Sequence, residues 1–441
     1  MTRGLKKTVS SIALATAAGL MATSAMAADL GGNCCADLEE RVAELEATTA
    51  RKGNRVVSLT VYGLVNKELL WHDSGEADAY RSDKVTVRDN DNLQTRFGFR
   101  GEAKIRPDLS AGYVLEIEVE EDRGTGSSFN SLNIRHSYVY LQSERLGRLA
   151  LGQTSQITDG INQINLATPY VTPLAMDEPS GFMGAAFART FDTPFDGGRV
   201  QGVYYQTPSL AGFVLGAGWS HGSQGSVTSV EHDWWDDPEL VTTGYSDTTE
   251  YWEVALRYAG EFNGVRLAAG IGYRQADDKV KGIEDKIWSG SASAMHVPTG
   301  LFLSGGYGDV DSDSDANKRD GWWLMAGVQR NFFGVGNTTF YGEYGESNFD
   351  HEAAGVTTAG WHSVNDPDSD RLSGSYWGIG AVQSVDAAAM DFYINFRRYE
   401  LDGVAAQVYH NPPGPNNAHW DDVSAQSRDA SVVQAGAVIK F

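Results

Sequence analysis

One five-residue stretch has the spacing of a catalytic nucleophile. Gly218-Trp219-Ser220-His221-Gly222 reads G-x-S-x-G, the nucleophile elbow of serine hydrolases. That motif places its serine on a turn between a strand and a helix, and it needs an acid and a histidine further along the chain. Here a segment rich in Gly, Ser and Thr follows instead of a helix. The sequence therefore predicts that Ser220 is not a nucleophile and that the protein is not an enzyme.

Four acidic residues at alternate positions resemble the start of a calcium loop: Asp309, Asp311, Asp313 and Asp315. The run lacks the Gly at position six and the Glu at position twelve that an EF-hand requires. A solvated acidic connection is the simpler interpretation, and adventitious calcium stays the alternative. The histidines of the long connections follow no metal-ligand spacing; they are His232, His351, His362 and His419. We therefore predict neither a resident metal nor a cofactor.

The composition excludes several classes of protein. The chain has 441 residues, of which 58 are acidic and 35 are Lys or Arg, for a formal charge of −23. A nucleic-acid partner is not expected, because binding phosphates requires clustered basic residues. With 50 Gly and 11% aromatic residues the chain is not a disordered one. Its two adjacent cysteines, Cys34 and Cys35, cannot form a disulfide framework.

The first 27 residues have the features of a signal peptide. A basic start is followed by a short apolar run, Val9 to Ala22, and by the small-x-small site Ala25-Met26-Ala27. We predict cleavage after Ala27 and export of the mature chain. Because the rest of the sequence contains no apolar stretch of about 18 residues, a membrane location would require a closed β-barrel, the only other structure that satisfies every backbone group in lipid.

Residues 28–56 are predicted to form a separate N-terminal segment in the periplasm. Asp37 is a candidate N-cap with Glu40 three residues later, and Leu38, Val42 and Leu45 continue an apolar spacing that begins at Cys35. This single narrow stripe, over residues 35–47, is typical of a short coiled coil, which would need identical partners held nearby. A helix packed on its own domain is the equal alternative. A binding partner in the cell wall or envelope is a further hypothesis for this helix.

From Val57 onward the apolar period changes to two. In 57–71 the odd positions are mostly apolar and the even positions mostly polar, and in 93–105 Phe97 and Phe99 alternate with Arg96 and Arg100. The alternation, with breaks at Gly, Pro, Asp and Ser, predicts sixteen strands. They cover 57–72, 93–106, 111–120, 132–142, 147–153, 199–207, 211–220, 249–259, 264–274, 287–297, 300–310, 321–332, 337–346, 373–384, 389–401 and 430–441.

The lengths of the connections distinguish a membrane barrel from a soluble sandwich. Seven short turns, such as Pro298-Thr299, alternate with eight longer connections, of which 154–198 is the longest. That alternation is typical of an outer-membrane barrel, with tight periplasmic turns and large outer loops. We therefore predict an all-β protein whose residues 57–441 form a 16-stranded antiparallel transmembrane β-barrel.

Several stretches resemble the general diffusion porins of Gram-negative bacteria: TRFGFRG (95–101), VYYQTPSLAGF (203–213) and the final VIKF, which ends at Phe441. The opening CCADLEERVAELEATTARKGNRVVSLTVYG resembles porins of alphaproteobacteria. The resemblance implies a homotrimer in contact with outer-membrane lipid and lipopolysaccharide, a third outer loop folded into the barrel, and a terminal Phe441 that acts as an assembly signal. It also implies passive diffusion of ions and small hydrophilic solutes.

In that family the inward loop carries acids that face arginines on the wall, so a transverse field acts on solutes at the narrowest point. The matching residues here are Asp159, Asp177 and Glu178 in 154–198, with Arg96 and Arg100 as the facing bases. Other charged residues in the same phase could line the pore or pair with one another; they are Arg257, Arg266, Arg274, Arg397, Glu102, Glu253 and Glu343. The acidic outer connections lead us to expect a weak preference for cations.

Three alternatives to a general channel stay open at this point. A substrate-selective barrel would carry a continuous aromatic track or a dense ladder of one charge sign, and the lumen residues mix both signs. A hydrolase on a β scaffold would need a nucleophile and base that the sequence does not offer. A tethering role for the helix 35–47 would coexist with conduction.

Overall fold

A computed structural model gives the fold of the chain. It describes residues 57–73, 85–90, 92–120, 131–167, 191, 195–222, 249–279, 282–313, 318–350, 357–358, 361–362, 371–402, 406–410, 419–423 and 428–441. The predicted signal peptide, the segment 28–56 with its helix, Asp177 and Glu178 all lie outside the described residues.

Sixteen long antiparallel strands form one closed barrel, which confirms the predicted fold class. The described residues also form five short strands, β2, β15, β16, β19 and β20. In chain order the strands are β1 (Thr60–Asp73), β2 (Val85–Asp89), β3 (Arg96–Arg106), β4 (Leu109–Glu120), β5 (Ser131–Ser143), β6 (Gly147–Ser155), β7 (Arg199–Gln206), β8 (Phe213–Gly222), β9 (Thr249–Phe262), β10 (Val265–Asp278), β11 (Ile283–His296), β12 (Leu301–Ser312), β13 (Arg319–Arg330), β14 (Thr338–Asp350), β15 (Thr357–Thr358), β16 (Trp361–His362), β17 (Arg371–Val385), β18 (Met390–Asp402), β19 (Ala406–His410), β20 (His419–Val423) and β21 (Arg428–Lys440).

The barrel closes because its first and last strands pair with each other. β21 pairs with β1 from Leu64↔Lys440 to Asp73↔Ser431, and with β18 on its other edge. The opposite edge of β1 pairs with β3 near its start and with the short β2 further along. Closure gives every long strand of the described chain two neighbours, as a lipid environment requires of backbone N–H and C=O groups.

The connections alternate between the two ends of the barrel, with one departure from the prediction. The outer connections 279–282 and 313–318 are as short as the turns at the opposite end. The strands around them, β10 to β13, run beyond the predicted ends through polar residues such as Asp278 and Glu284. Backbone pairing continues there without an apolar face, so the hydrophobic alternation ends before the strand does. The short strands β15, β16, β19 and β20 form a second sheet within two of the longer outer connections.

The two faces of the wall differ as the alternation predicted. Along β9, Trp252, Val254 and Leu256 point outward with 58%, 49% and 40% of their surface exposed, whereas Glu253 and Ala255 point inward and are buried. An exposed apolar outer face with a polar interior is the arrangement of a barrel in a bilayer. Within the residues described, no helix is long and apolar enough to cross a membrane.

The C-terminal residue continues the pairing of the last strand. The backbone N–H of Phe441 donates to the carbonyl of Gly63 at 3.0 Å, and the N–H of Gly63 donates to the carbonyl of Phe441 at 2.9 Å. The Phe441 side chain is 56% exposed, in the outward phase of Ile439. The terminal ring therefore lies on the outer surface of the barrel, beside the start of β1.

Candidate functional site

The connection after β6 enters the barrel and is held against the inner wall by β9. The carboxylate of Glu253 accepts hydrogen bonds from the backbone N–H groups of Ile157 and Thr158 at 2.6 and 2.9 Å, and from the Thr158 hydroxyl at 2.7 Å. Arg257 donates to the carbonyls of Ile157 and Asp159 at 3.3 and 2.5 Å. Two inward side chains of one strand thus fix the first turn of residues 156–167, which we call the inner segment.

Glycines in β10 let the inner segment lie directly on the wall. A Cβ atom added to Gly270 would be 2.8 Å from Cδ1 of Ile164 and 2.9 Å from Cγ1 of Ile161. A Cβ at Gly272 would be 2.9 Å from Cγ2 of Thr158. Real Cβ atoms almost never approach so closely, so a side chain at either position would displace the inner segment's side chains. Ile161 is completely buried as a result.

The segment then follows the wall to β13 through hydrogen bonds to its backbone. The hydroxyl of Ser291 accepts from the N–H of Ile164 at 2.9 Å and donates to the carbonyl of Ile161 at 2.6 Å. Further on, Trp323 Nε1 donates to the carbonyl of Asn162 at 2.9 Å, and Gln329 Nε2 donates to that of Ala167 at 2.8 Å. The predicted inward loop thus has a described part that covers the inner faces of β9 to β13.

The returning end of the same connection contacts the far wall. Phe191 packs edge-on against Tyr399 and Tyr376, with ring centroids 5.0 and 6.2 Å away. Gln156 then joins the two ends of the connection, because its backbone N–H donates to the carbonyl of Gly198 at 2.9 Å and its side chain accepts from the Gly198 N–H. The described parts of the connection therefore contact both sides of the barrel, and its two ends meet beside β6 and β7.

Asp196 lies at this closing point. Its carboxylate accepts a hydrogen bond from the backbone N–H of Asn162 at 2.7 Å. Burial raises the pKa of Asp196 to about 7, and the neighbouring Asp159 carboxylate acts in the same direction, although the N–H of Asn162 opposes both. Near neutral pH this group is consequently divided between its neutral and its charged form.

Several arginines that could have lined the pore are engaged by other protein groups, two of them by the connection. Arg274 donates to the side-chain oxygen of Gln156 at 3.1 Å, and Arg257 contacts the inner segment as described above. Arg397 and Glu343 form a bidentate pair with Nη2 2.8 Å from both carboxylate oxygens, and both side chains are only 1% exposed. Of the predicted set, Arg266 stays at the barrel rim, 3.3 Å from Glu261.

A second group of arginines lies on the inner faces of β3 to β6 and at the first residue of β7. We call Arg96, Arg100, Arg135, Arg148 and Arg199 the arginine wall. Two of these charges are compensated: Arg96 lies 3.8 Å from Glu116, and Arg135 pairs with Glu116 at 3.0 Å and with Glu118. The sequence placed Arg96 at a constriction without showing that its charge is shared with carboxylates on the neighbouring strand.

The other three arginines have no carboxylate oxygen within 4.0 Å among the described residues. Arg100 lies over the ring of Tyr62, 5.3 Å from its centroid, and Arg148 lies 4.1 Å from the centroid of Tyr140. Arg199, the exposed first residue of β7, is close enough to Asp159 for the two charges to attract. Positive charge is therefore available on this side of the lumen, with Asp159 of the inner segment facing it.

Sequence reasoning did not identify Arg135, Arg148 or Arg199. A β-bulge in β5 turns both Arg135 and His136 inward, since Glu116 pairs with His136 and Ile117 with Ile134. Strict alternation cannot predict that arrangement. Arg148 is in phase with the inward Ala150, so the alternation of β6 could have identified it. Arg199 is out of phase with the inward Gly202, so the alternation of β7 could not.

The described residues contain no group of three or more His, Cys, Asp or Glu side chains arranged to hold a metal ion. Within the part of the chain that the structure describes, the site offers charged groups and aromatic surface. What it can do is attract, orient and retard solutes in water.

Comparison with known proteins agrees with this architecture. The family model for "Gram-negative porin" matches residues 12–404. A curated relative, an outer membrane porin protein of Bordetella pertussis, is 25% identical over 233 residues, 49% of this chain. The chain spans 57% of the length of that relative.

Solved structures share the fold at low sequence identity. The anion-selective porin from Comamonas acidovorans has a TM-score of 0.56 and 16% identity over 87% of this chain and 100% of that one. The outer membrane channel DcaP of Acinetobacter baumannii has a TM-score of 0.52 and 13% identity over 89% of this chain and 100% of that one. Salmonella typhi OmpF in complex with daunomycin has a TM-score of 0.51 and 16% identity over 88% of this chain and 98% of that one.

Proposed function

The chain belongs to the family of Gram-negative porins, passive channels of the outer membrane, and we propose that ions and small hydrophilic solutes diffuse through its barrel along the arginine wall. The observation that carries this proposal is the position of the inner segment, which covers β9 to β13. Among the described residues, the inner faces of β3 to β6 keep half-exposed arginines and tyrosines. This asymmetry supports a water-filled path along those strands. Porins transport solutes without transforming them, which fits the predicted absence of an enzymatic site.

Fixed charges on the two sides of the path would select solutes by charge and size. Arg100, Arg148 and Arg199 lie on one side and Asp159 on the other. Both signs act within a Debye length of about 8 Å at physiological salt, so a solute in a narrow opening experiences them almost unscreened. A solute passes when it can exchange bound water for these groups. The weak cation preference predicted from the acidic outer connections is opposed here by the arginine wall.

The proposal extends to parts of the chain outside the described residues. Four features of the N-terminus stay predictions: the signal peptide 1–27, cleavage after Ala27, the periplasmic segment 28–56 and an envelope partner for residues 35–47. The alphaproteobacterial origin and the contacts with lipopolysaccharide also stay predictions. The same holds for the contributions of Asp177 and Glu178 to the pore. Phe441, exposed on the outer surface, is proposed as the assembly signal.

A homotrimer is the proposed assembly, and conduction tests it together with the channel function. Mature protein in mild detergent should migrate at about three times the monomer mass and collapse to a monomer on boiling. In a planar bilayer each insertion should raise the current by three equal, ohmic increments, one for each barrel. Liposomes with the protein should swell faster in small sugars than in large ones. A monomeric species that inserts without raising the current would contradict both the trimer and the channel.

A further inference from the structure

We propose that Arg148, with Tyr138 and Tyr140, forms a binding subsite for small aromatic carboxylates inside the lumen. The subsite would slow such anions on their way through the channel. This inference rests on the proposed function, because the ligand reaches Arg148 only through a water-filled lumen. It adds a chemical preference that neither a size filter nor a diffuse charge would produce.

The guanidinium of Arg148 lies beside two aromatic rings. It lies 4.1 Å from the centroid of Tyr140 and 5.6 Å from that of Tyr138, and its Nη2 donates to the Tyr138 hydroxyl at 3.0 Å. This position keeps the planar group at a fixed place on the wall. Stacking on aromatic faces is a property of arginine that lysine does not reproduce.

A glycine fixes the position of Tyr140. A Cβ added to Gly112 would be 2.4 Å from both Cζ and the hydroxyl oxygen of Tyr140, so the ring lies directly on the wall of β4. One face of the ring contacts the wall and the other receives Arg148. Gly112 of β4, Tyr140 of β5 and Arg148 of β6 therefore pack in layers across three neighbouring strands.

The charge of Arg148 is available to a ligand. No carboxylate oxygen of the described residues lies within 4.0 Å of it, in contrast to Arg135 with its two glutamates. A guanidinium has five N–H donors, and one of them is engaged by Tyr138. The remaining donors form the fork that binds a carboxylate through two parallel hydrogen bonds. The half-exposed side chain faces lumen water, so the fork is accessible.

Two features restrict the ligand to an aromatic monoanion. The edges of the tyrosine rings offer apolar surface, against which an aryl ring bound to the same carboxylate can pack in an edge-on arrangement. Glu102 lies next to these rings, since the Tyr140 hydroxyl donates to its carboxylate at 3.2 Å. This nearby negative charge repels a dianion such as phosphate or sulfate more strongly than it repels a monoanion.

The probe for this subsite is benzoate, added during single-channel recording at constant ionic strength. We expect benzoate to reduce the chloride current of the wild-type channel with a saturating concentration dependence. Acetate and phosphate should change the current only in proportion to their concentration, as expected when one electrolyte replaces another, without saturation. Arg148→Gln should bind benzoate at least tenfold more weakly, because a charge-assisted hydrogen bond contributes about 1.5–3 kcal/mol. Arg148→Lys keeps the charge but should lose most of the affinity, and Tyr140→Leu should lose a part of it.

Arg398→Gln is the matched control, because Arg398 points to the outer surface and pairs with Asp429 there. Its benzoate saturation should equal that of the wild type. Equal saturation in Arg148→Gln and wild type would overturn the subsite, as would an acetate effect equal to that of benzoate. A wild-type protein that conducts no ions would instead contradict the proposed function, so the two failures are distinguishable.

Discussion

The variant Arg397→Met should have a wider and less stable channel than the wild type. Arg397 and Glu343 are buried beneath the returning end of the connection and bind each other through two hydrogen bonds from Nη2 at 2.8 Å and one from Nε at 3.1 Å. Removing one partner of a buried ion pair costs about 3–5 kcal/mol, because the other charge is left without compensation. The same change removes the guanidinium that lies 4.4 Å from the ring centroid of Tyr376.

Tyr376 and Tyr399 are the platform on which Phe191 packs, so damage to this pair should loosen the connection from the far wall. We expect a larger single-channel conductance and a lower temperature for dissociation of the folded oligomer. Phe191→Ala should reproduce the conductance change with a smaller loss of stability. The double variant Glu343→Gln, Arg397→Met removes both charges and should regain part of the stability. Unchanged conductance in both Arg397→Met and Phe191→Ala would contradict this role.

The second large effect is expected at Glu253, which holds the opposite end of the connection. Glu253→Ala leaves the N–H groups of Ile157 and Thr158 and the Thr158 hydroxyl without their acceptor. Each buried donor without a partner costs about 1–3 kcal/mol, so the first turn of the inner segment should detach from β9. The expected result is a noisy open-channel current and faster cleavage of the inner segment by protease.

Glu253→Gln keeps an oxygen acceptor and should show a smaller effect of the same kind. Glu261→Gln is the matched control on the same strand, since Glu261 pairs with Arg266 at the rim and does not contact the inner segment. Equal current noise in Glu253→Ala and Glu261→Gln would show that Glu253 does not hold the segment in place.

The barrel was predictable because each strand carries its own evidence in the sequence. An outward row such as Trp252, Val254 and Leu256 must be apolar in lipid, and the residues between them face water or the inner segment, so a period of two results. This signal is local and needs no knowledge of distant residues. It disappeared where strands leave the bilayer, which is why the extensions of β10 to β13 were missed.

The pairing of charges was not predictable, because it depends on contacts between distant parts of the chain. Alternation placed Arg397 and Glu343 on the inward face, but their pairing joins β18 to β14 across the intervening β17. Arg257 and Arg274 bind atoms about 100 residues away in the connection after β6. The sequence therefore indicated which arginines point inward without indicating which are neutralised.

Local irregularity set a further limit. The bulge in β5 places Arg135 and His136 inward together, and no residue type in that strand marks the position of the bulge. Since a shift of one residue exchanges the two faces, alternation becomes unreliable on either side of such a point. The tyrosines of the same strand, Tyr138 and Tyr140, are in the inward phase only after the bulge.

The zero-current potential in a salt gradient tests most directly whether solutes pass along the arginine wall. Replacing Arg100 and Arg199 together by Gln should move this potential towards the cation limit, because neither guanidinium has a carboxylate oxygen within 4.0 Å among the described residues. Asp159→Asn should move it in the opposite direction, and Arg398→Gln, on the outer surface, should leave it unchanged. If the double arginine variant and Asp159→Asn both keep the wild-type potential, the conducting path does not run between these groups.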